Sequence, residues 1–167
     1  MTRRTTAILV AIAVLGGAAV AGVGLATRGS SKPARVLQID ENLGRVGQVV
    51  LGETFSNLIG ALGPPVTSTS LGVAPSQTLG YPHLTLTLGV HGVSAIRTDD
   101  PAATTLQAVR IGEPLSAARA SYGKAATCNP NSPDKTAAHP FCTIRVRSGQ
   151  LLVSGDPIRA ITLSRSR

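Results

Sequence analysis

The sequence predicts an α+β protein: an N-terminal transmembrane or signal helix, then two tandem helix-strand-strand repeats. Three observations predict it. An uncharged run lies near the N-terminus, a motif returns after sixty residues, and each copy switches from helical to alternating apolar periodicity. The repeats are expected to share one antiparallel sheet with both helices on one face, because either unit alone is too small to hide its apolar side.

Residues 1–28 form the first element. Arg3 and Arg4 precede residues 7–26, twenty residues without a charge, which is long enough to cross a bilayer core as a helix. Within it, Ala19-Val20-Ala21 has the small-x-small form of a signal-peptide cleavage site. The apolar run nevertheless continues through Val23 and Leu25, as in an uncleaved anchor. Both outcomes stay open here, and the length of the run favours the anchor. The expected location is the cell membrane with an extracytoplasmic domain, or the exterior if the signal is removed. Arg28, Lys32 and Arg35 follow the segment, so charge leaves its orientation undetermined. No Cys lies near its end, so no lipid-bearing cysteine is expected. Residues 29–44, opening with Gly29-Ser30-Ser31-Lys32-Pro33, have linker composition.

The first repeat is assigned to residues 45–105 and the second to 106–167. Gly52, Glu53, Ser56 and Gly63 recur as Gly112, Glu113, Ser116 and Gly123. Phe55, Leu58, Ile59 and Leu62 follow the i, i+3, i+4, i+7 spacing of one helical face, and Leu115, Ala118 and Tyr122 repeat the stripe. Thr54 is placed to cap the first helix, and Pro114 is tolerated where a first-turn N–H has no partner. Gly63 and Gly123 stand where a helix ends in a left-handed residue, and Glu53 and Glu113 lie near the positive ends of the helix dipoles.

Strands follow each helix. Leu84-Thr85-Leu86-Thr87-Leu88 alternates with period two, leucines inward and threonines outward. His91-Gly92 reads as a tight turn, residues 93–98 return, and Asp99-Asp100-Pro101 ends the strand. Thr143-Ile144-Arg145-Val146-Arg147 alternates in the same way, Ser148-Gly149 is a turn signal, and residues 150–154 and 158–163 supply further strand. Val93 to Ile96 aligns with Ile158 to Ile161 at an offset of sixty-five, so the second copy has gained residues. The outward threonines and arginines leave the second sheet face open to water or to a partner.

The two cysteines, Cys128 and Cys142, are an even count in an exported chain and are expected to form a disulfide around a Pro/Asn-rich excursion. Such a closure removes chain entropy worth on the order of 3 kcal/mol. The competing assignment is a metal site of Cys128, His139 and Cys142, one ligand short of a structural zinc site.

The chain carries a formal charge of +8, and without residues 1–28 it still holds 13 basic against 8 acidic side chains. A solvated basic surface accounts for this, and so does attraction to an anionic envelope surface. Nucleic acid is not expected: the basic residues are scattered, and aromatics are 2% of the chain, namely Phe55, Tyr81, Tyr122 and Phe141.

No catalytic signature stands out, and no catalytic, cofactor-binding or metal residues are assigned. Ser121 to Lys124 and Ser132 to Lys135 match S-x-x-K, but the companion motifs are missing. His83, His91 and His139 lack metal-ligand spacing. Adjacent Asp99 and Asp100 point oppositely on a strand and make no carboxylate pair.

The run Gly52-Glu53-Thr54, then Leu58, Leu62-Gly63 and Pro65, followed by alternating strands, resembles the repeat of the β-lactamase inhibitory protein family. It is also similar to the small lipoproteins of outer-membrane assembly. The resemblance covers about residues 45–167 and implies a fold. Its motif positions mark helix ends and core, so no functional residue is carried over. Inhibitors of that family grip their enzyme with an aromatic-rich face, for which four aromatics leave little material. The expected function is a non-enzymatic envelope protein that binds a protein or an anionic surface. The alternative is a secreted inhibitor of a β-lactamase-type hydrolase, which needs Tyr81 or Phe141 exposed. An enzyme with an unrecognised site is the third option.

Overall fold

Alternation of apolar and hydroxyl side chains dominates the structure, a computed structural model that describes residues 36–70, 76–129 and 140–165. The described residues begin with three short strands, β1 (Leu37–Asp40), β2 (Arg45–Val46) and β3 (Val49–Val50), ahead of the helix α1 (Phe55–Leu62). Four strands follow: β4 (Thr67–Ser70), β5 (Gln77–Tyr81), β6 (Leu84–Gly89) and β7 (Gly92–Thr98). After β8 (Ala103–Thr105) come α2 (Leu115–Tyr122) and a 3-10 turn over Gly123–Ala125. Four more strands close the chain: β9 (Ala126–Asn129), β10 (Phe141–Val146), β11 (Gly149–Ser154) and β12 (Ala160–Ser164).

Two sheets form where one was expected. The larger has eight antiparallel strands in the order β4-β5-β6-β7-β12-β11-β10-β9. The smaller has the order β3-β2-β1-β8, with β1 and β8 parallel. Each helix is followed by four strands of the large sheet rather than two. The linker assigned to 29–44 ends earlier than expected, because Ile39 of β1 is fully buried. Residues 29–35, the span 7–26 and the candidate cleavage site lie outside the described residues. Among the described residues no helix is long and apolar enough to cross a membrane.

Helix signals land where the sequence places them. Thr54 Oγ1 accepts from the Asn57 N–H at 3.4 Å. Pro114 caps nothing through its own side chain, and instead Asp156 Oδ1, from 41 residues away, accepts the Leu115 N–H at 3.1 Å. Gly63 and Gly123 end the helices at φ of +79° and +52°. The apolar stripe of α1 is less covered than its spacing suggests: Leu58 is fully buried, whereas Phe55 is 45% exposed.

One row of core side chains crosses seven strands in register: Leu79, Leu86, Ile96, Leu163, Leu151, Ile144 and Ala126. The first six are wholly buried. Ile39, Val46, Val49, Ala103 and Val109 from the small sheet and its flanks close over them, together with Leu58 of α1 and Leu115 and Ala118 of α2. Burying each such side chain contributes about 1.5–3 kcal/mol, which compensates for the near absence of large rings.

The recurring Gly-Glu pair has a local purpose. Gly52 and Gly112 both adopt φ of +91°. Gly52 N–H donates to the Val93 carbonyl at 2.7 Å, and Gly112 N–H to that of Ile158 at 2.8 Å. Val93 N–H returns to the Glu53 carbonyl at 2.9 Å, and Ile158 N–H to that of Glu113 at 2.7 Å. The Glu53 carboxylate accepts from Val50 N–H at 3.1 Å and that of Glu113 from Arg110 N–H at 3.0 Å. Both carboxylates thus precede their helices and close a turn, rather than sitting inside the first helical turn as dipole partners. The β6–β7 turn is Val90-His91, one residue earlier than expected, since Gly92 pairs with Gly89.

Candidate binding face

Opposite the core row, the large sheet carries a polar surface set by the same register. One row runs Thr67, Gly80, Thr85, Arg97, Thr162, Leu152, Thr143, Thr127 across all eight strands. A second, two residues along each strand, runs Thr69, Thr78, Thr87, Ala95, Ser164, Gln150, Arg145. At a strand spacing of about 4.8 Å the first row extends for roughly 34 Å. Hydroxyls dominate both rows and neither contains a carboxylate. Paired threonines suit such a surface, because β-branched side chains fit the pleat and their hydroxyls bond locally or to solvent.

The electrostatics follow from where the acids went. Among the described residues, every carboxylate accepts a hydrogen bond within the fold. Asp40 takes Asn42 and Leu43 N–H, Asp100 takes Ala102 N–H, and Asp99 meets His83 Nδ1 at 2.9 Å. Glu53, Glu113 and Asp156 serve backbone N–H groups as described above. Glu41, 4% exposed, takes Leu106 N–H at 3.1 Å and the Tyr122 hydroxyl, which burial and this carboxylate together hold well above the usual phenol range. The cations are spent differently. Arg45 pairs with Asp40 at 3.9 Å, while Arg97 and Arg145 on the open face are exposed and pair with no carboxylate among the described residues. The face is left with positive charge and a supply of hydroxyls.

A concavity of about 810 Å³ indents one end of this face, lined by Ser94, Arg145, Gln150, Ser164 and Arg165 among others. A second hollow of about 490 Å³ lies away from it, between Leu37, Val46, Leu62 and Leu84, with His83 and Asp100 on its wall. His83 adopts a left-handed φ of +59°, which histidine tolerates better than most side chains. Asp99 and Asp100 lie just beyond β7 rather than on a strand, and they diverge because Asp99 turns to His83 and Asp100 to the backbone.

The sequence-assigned cysteines meet. Cys128 and Cys142 are opposite one another on β9 and β10, disulfide-bonded with a Cα separation of 4.0 Å. Their oxidation removes the two thiolates on which the Cys128–His139–Cys142 metal assignment depended, and His139 lies outside the described residues. No group of three or more potential metal ligands occurs among the described residues. Ser121 lies in the last turn of α2 and Lys124 in the 3-10 turn, both exposed, while Ser132 and Lys135 lie outside the described residues. Tyr81 and Phe141 are half-buried, and the Tyr81 hydroxyl donates to the Gly63 carbonyl at 3.2 Å. Burial raises the pKa of Tyr81. The alternating strands announced Thr85, Thr87 and Arg145, whereas Thr67, Thr69 and Thr127 came from segments without an apolar pattern. Comparison of the chain with protein-family models, curated proteins and solved structures returns no match.

Proposed function

We propose that this chain is an exported, membrane-anchored envelope protein whose open sheet face is a non-enzymatic binding surface for an envelope component. The anchor is residues 7–26 and the binding domain is extracytoplasmic. The domain arose by duplication of a helix-plus-sheet unit. Support for duplication comes from the six matched hydrogen bonds around Gly52-Glu53 and Gly112-Glu113. The disulfide supports an oxidising compartment.

The observation that carries the binding role is the two-row hydroxyl face with exposed Arg97 and Arg145 and no acid. Among the described residues the helices and the small sheet pack on the opposite, apolar face, which is the one a sheet this wide needs for stability. The hydrolase-inhibitor alternative needs Tyr81 or Phe141 exposed, and it is weakened because both are half-buried and the Tyr81 hydroxyl is engaged within the fold.

Photo-crosslinking in intact cells tests the role. A photoreactive amino acid at Thr162, mid-face, is expected to capture an envelope component, and the same group at exposed Ser116 on α2 is expected not to. Capture from Ser116 and none from Thr162 would reject the face. N-terminal sequencing of the mature protein decides between anchor and cleaved signal: an intact residue 7–26 segment supports the anchor, and a start after Ala21 removes it.

A further inference from the structure

We infer that the concavity bounded by Arg145, Gln150, Ser164 and Arg165 is an anion subsite that takes phosphodiester groups of an anionic envelope glycopolymer; this rests on the sheet-face reading and gives it a ligand class. The chemistry of the lining is one-sided. Arg145, Gln150, Ser164 and Arg165 line about 810 Å³, and no acidic residue lines it with them. Guanidinium forks match the geometry of phosphate oxygens and bind them bidentately, which an ammonium does not.

Arg165 is held in advance. Its backbone N–H donates to the Ser94 carbonyl at 3.1 Å, and its Nη2 donates to the Leu51 carbonyl at 3.3 Å. The guanidinium lies so close over Gly52 that a Cβ there would fall 1.9 Å from Nη2. That bond uses one of the five guanidinium N–H donors and ties Arg165 to the turn before α1, so Arg145 is the guanidinium with no such tie. Arg145 is exposed and without an ion pair among the described residues. The carboxylates among the described residues are engaged elsewhere, so an incoming phosphate displaces none of them.

A polymer fits better than a lone ion. Arg97 stands three strands from Arg145, about 14 Å across the sheet, and the surface between and beside them is floored with Thr162, Ser164 and Gln150. A chain of sugars or polyols joined by phosphodiesters presents a charge to each arginine and hydroxyls to the floor, and linked contacts strengthen one another. Nucleic acid offers the same charges, but neither row holds an aromatic ring on which bases stack.

The test is calorimetric titration of the full chain in phosphatidylcholine nanodiscs with four probes: poly(glycerol phosphate), inorganic phosphate, uncharged dextran and phosphatidylglycerol vesicles. The polymer is expected to bind most tightly, with an affinity that falls as salt rises, and dextran not at all. Arg145→Gln is expected to weaken polymer binding by about ten-fold, as loss of a charge-assisted contact does, with no change in unfolding temperature. Arg165→Gln also loses its bond to Leu51, so Arg145→Gln carries the decision. The control Arg110→Gln removes an equal charge away from the concavity and is expected to leave affinity within about two-fold. Wild-type affinity in Arg145→Gln, an equal loss in Arg110→Gln, a preference for the vesicles, or no polymer binding overturns the subsite. Should crosslinking from Thr162 persist in the Arg145→Gln chain, the sheet-face role stands without this subsite. Loss of crosslinking in wild type removes both.

Discussion

Tyr122→Phe isolates the contact that ties the two ends of the fold together. The Tyr122 hydroxyl reaches Glu41 across 81 residues, joining α2 to the turn after β1. The other Glu41 oxygen takes Leu106 N–H, and the Glu41 carbonyl accepts from the Ser148 hydroxyl at 2.6 Å. Glu41 is 4% exposed, so water cannot replace a lost donor. A hydrogen bond to a charged group contributes about 1.5–3 kcal/mol, and stranding the buried acceptor places the cost of Tyr122→Phe at the upper end, about 2–3 kcal/mol. For a folded region of this size that is a drop of roughly 10 °C in midpoint. Tyr81→Phe, whose hydroxyl meets only the Gly63 carbonyl, is expected to lose about 1 kcal/mol or less. The assay is urea unfolding followed by far-ultraviolet circular dichroism, since the chain has no Trp to report. The sign with pH is fixed by the raised phenol pKa, whose first cause is burial and second the bond to Glu41. Stability from this group is fully present below about pH 10, where the unfolded phenol titrates, and is lost as pH climbs toward the higher folded value. Tyr122→Phe should flatten that alkaline slope. A Tyr122→Phe chain within 0.5 kcal/mol of wild type, or costs that simply add in a cycle with Glu41→Gln, would refute the clamp.

Three further outcomes are expected. Gly92→Ala places a Cβ 2.4 Å from the Glu53 carbonyl oxygen at φ +84° and should cost more than about 2 kcal/mol, whereas Gly60→Ala, with nothing within 4 Å in mid-helix, should add about 0.5–1 kcal/mol; thermal unfolding of both checks this. Reducing the Cys128–Cys142 bond should lower stability by about 3 kcal/mol, read from unfolding with and without reductant. Glu53→Ala and Glu113→Ala each remove one turn-closing bond and should cost about 1 kcal/mol apiece; a large inequality between them would count against equivalent roles in the two halves.

Period-two alternation made β6, β10 and the outward threonines legible, and cap chemistry located both helices. Strand β4, Thr-Ser-Thr-Ser, has no apolar residue at all, and its conformation comes from pairing with β5. Strand β9 offers only Ala126 and Cys128 to the core side, and β1 is four residues long. Such segments take their structure from neighbours distant in sequence, which a local pattern does not reveal. Helical spacing assigned Phe55 to a face but not how much of that face is covered. The binding face was half visible: alternation aims Arg145 outward, but its adjacency to Gln150, Ser164 and Arg165 exists only after three strands have paired.

Strand β12 lies between β7 and β11 and hydrogen-bonds to both. A nascent chain that has emerged only as far as Ser154 therefore has two half-assembled ribbons, each with a long inner border of free amide and carbonyl groups. Those borders attract any strand that fits, including one from another copy. Five late-emerging residues seal both borders together. Until then the polypeptide is open to pairing with the wrong strand, and the last strand to emerge is the one that ends that exposure.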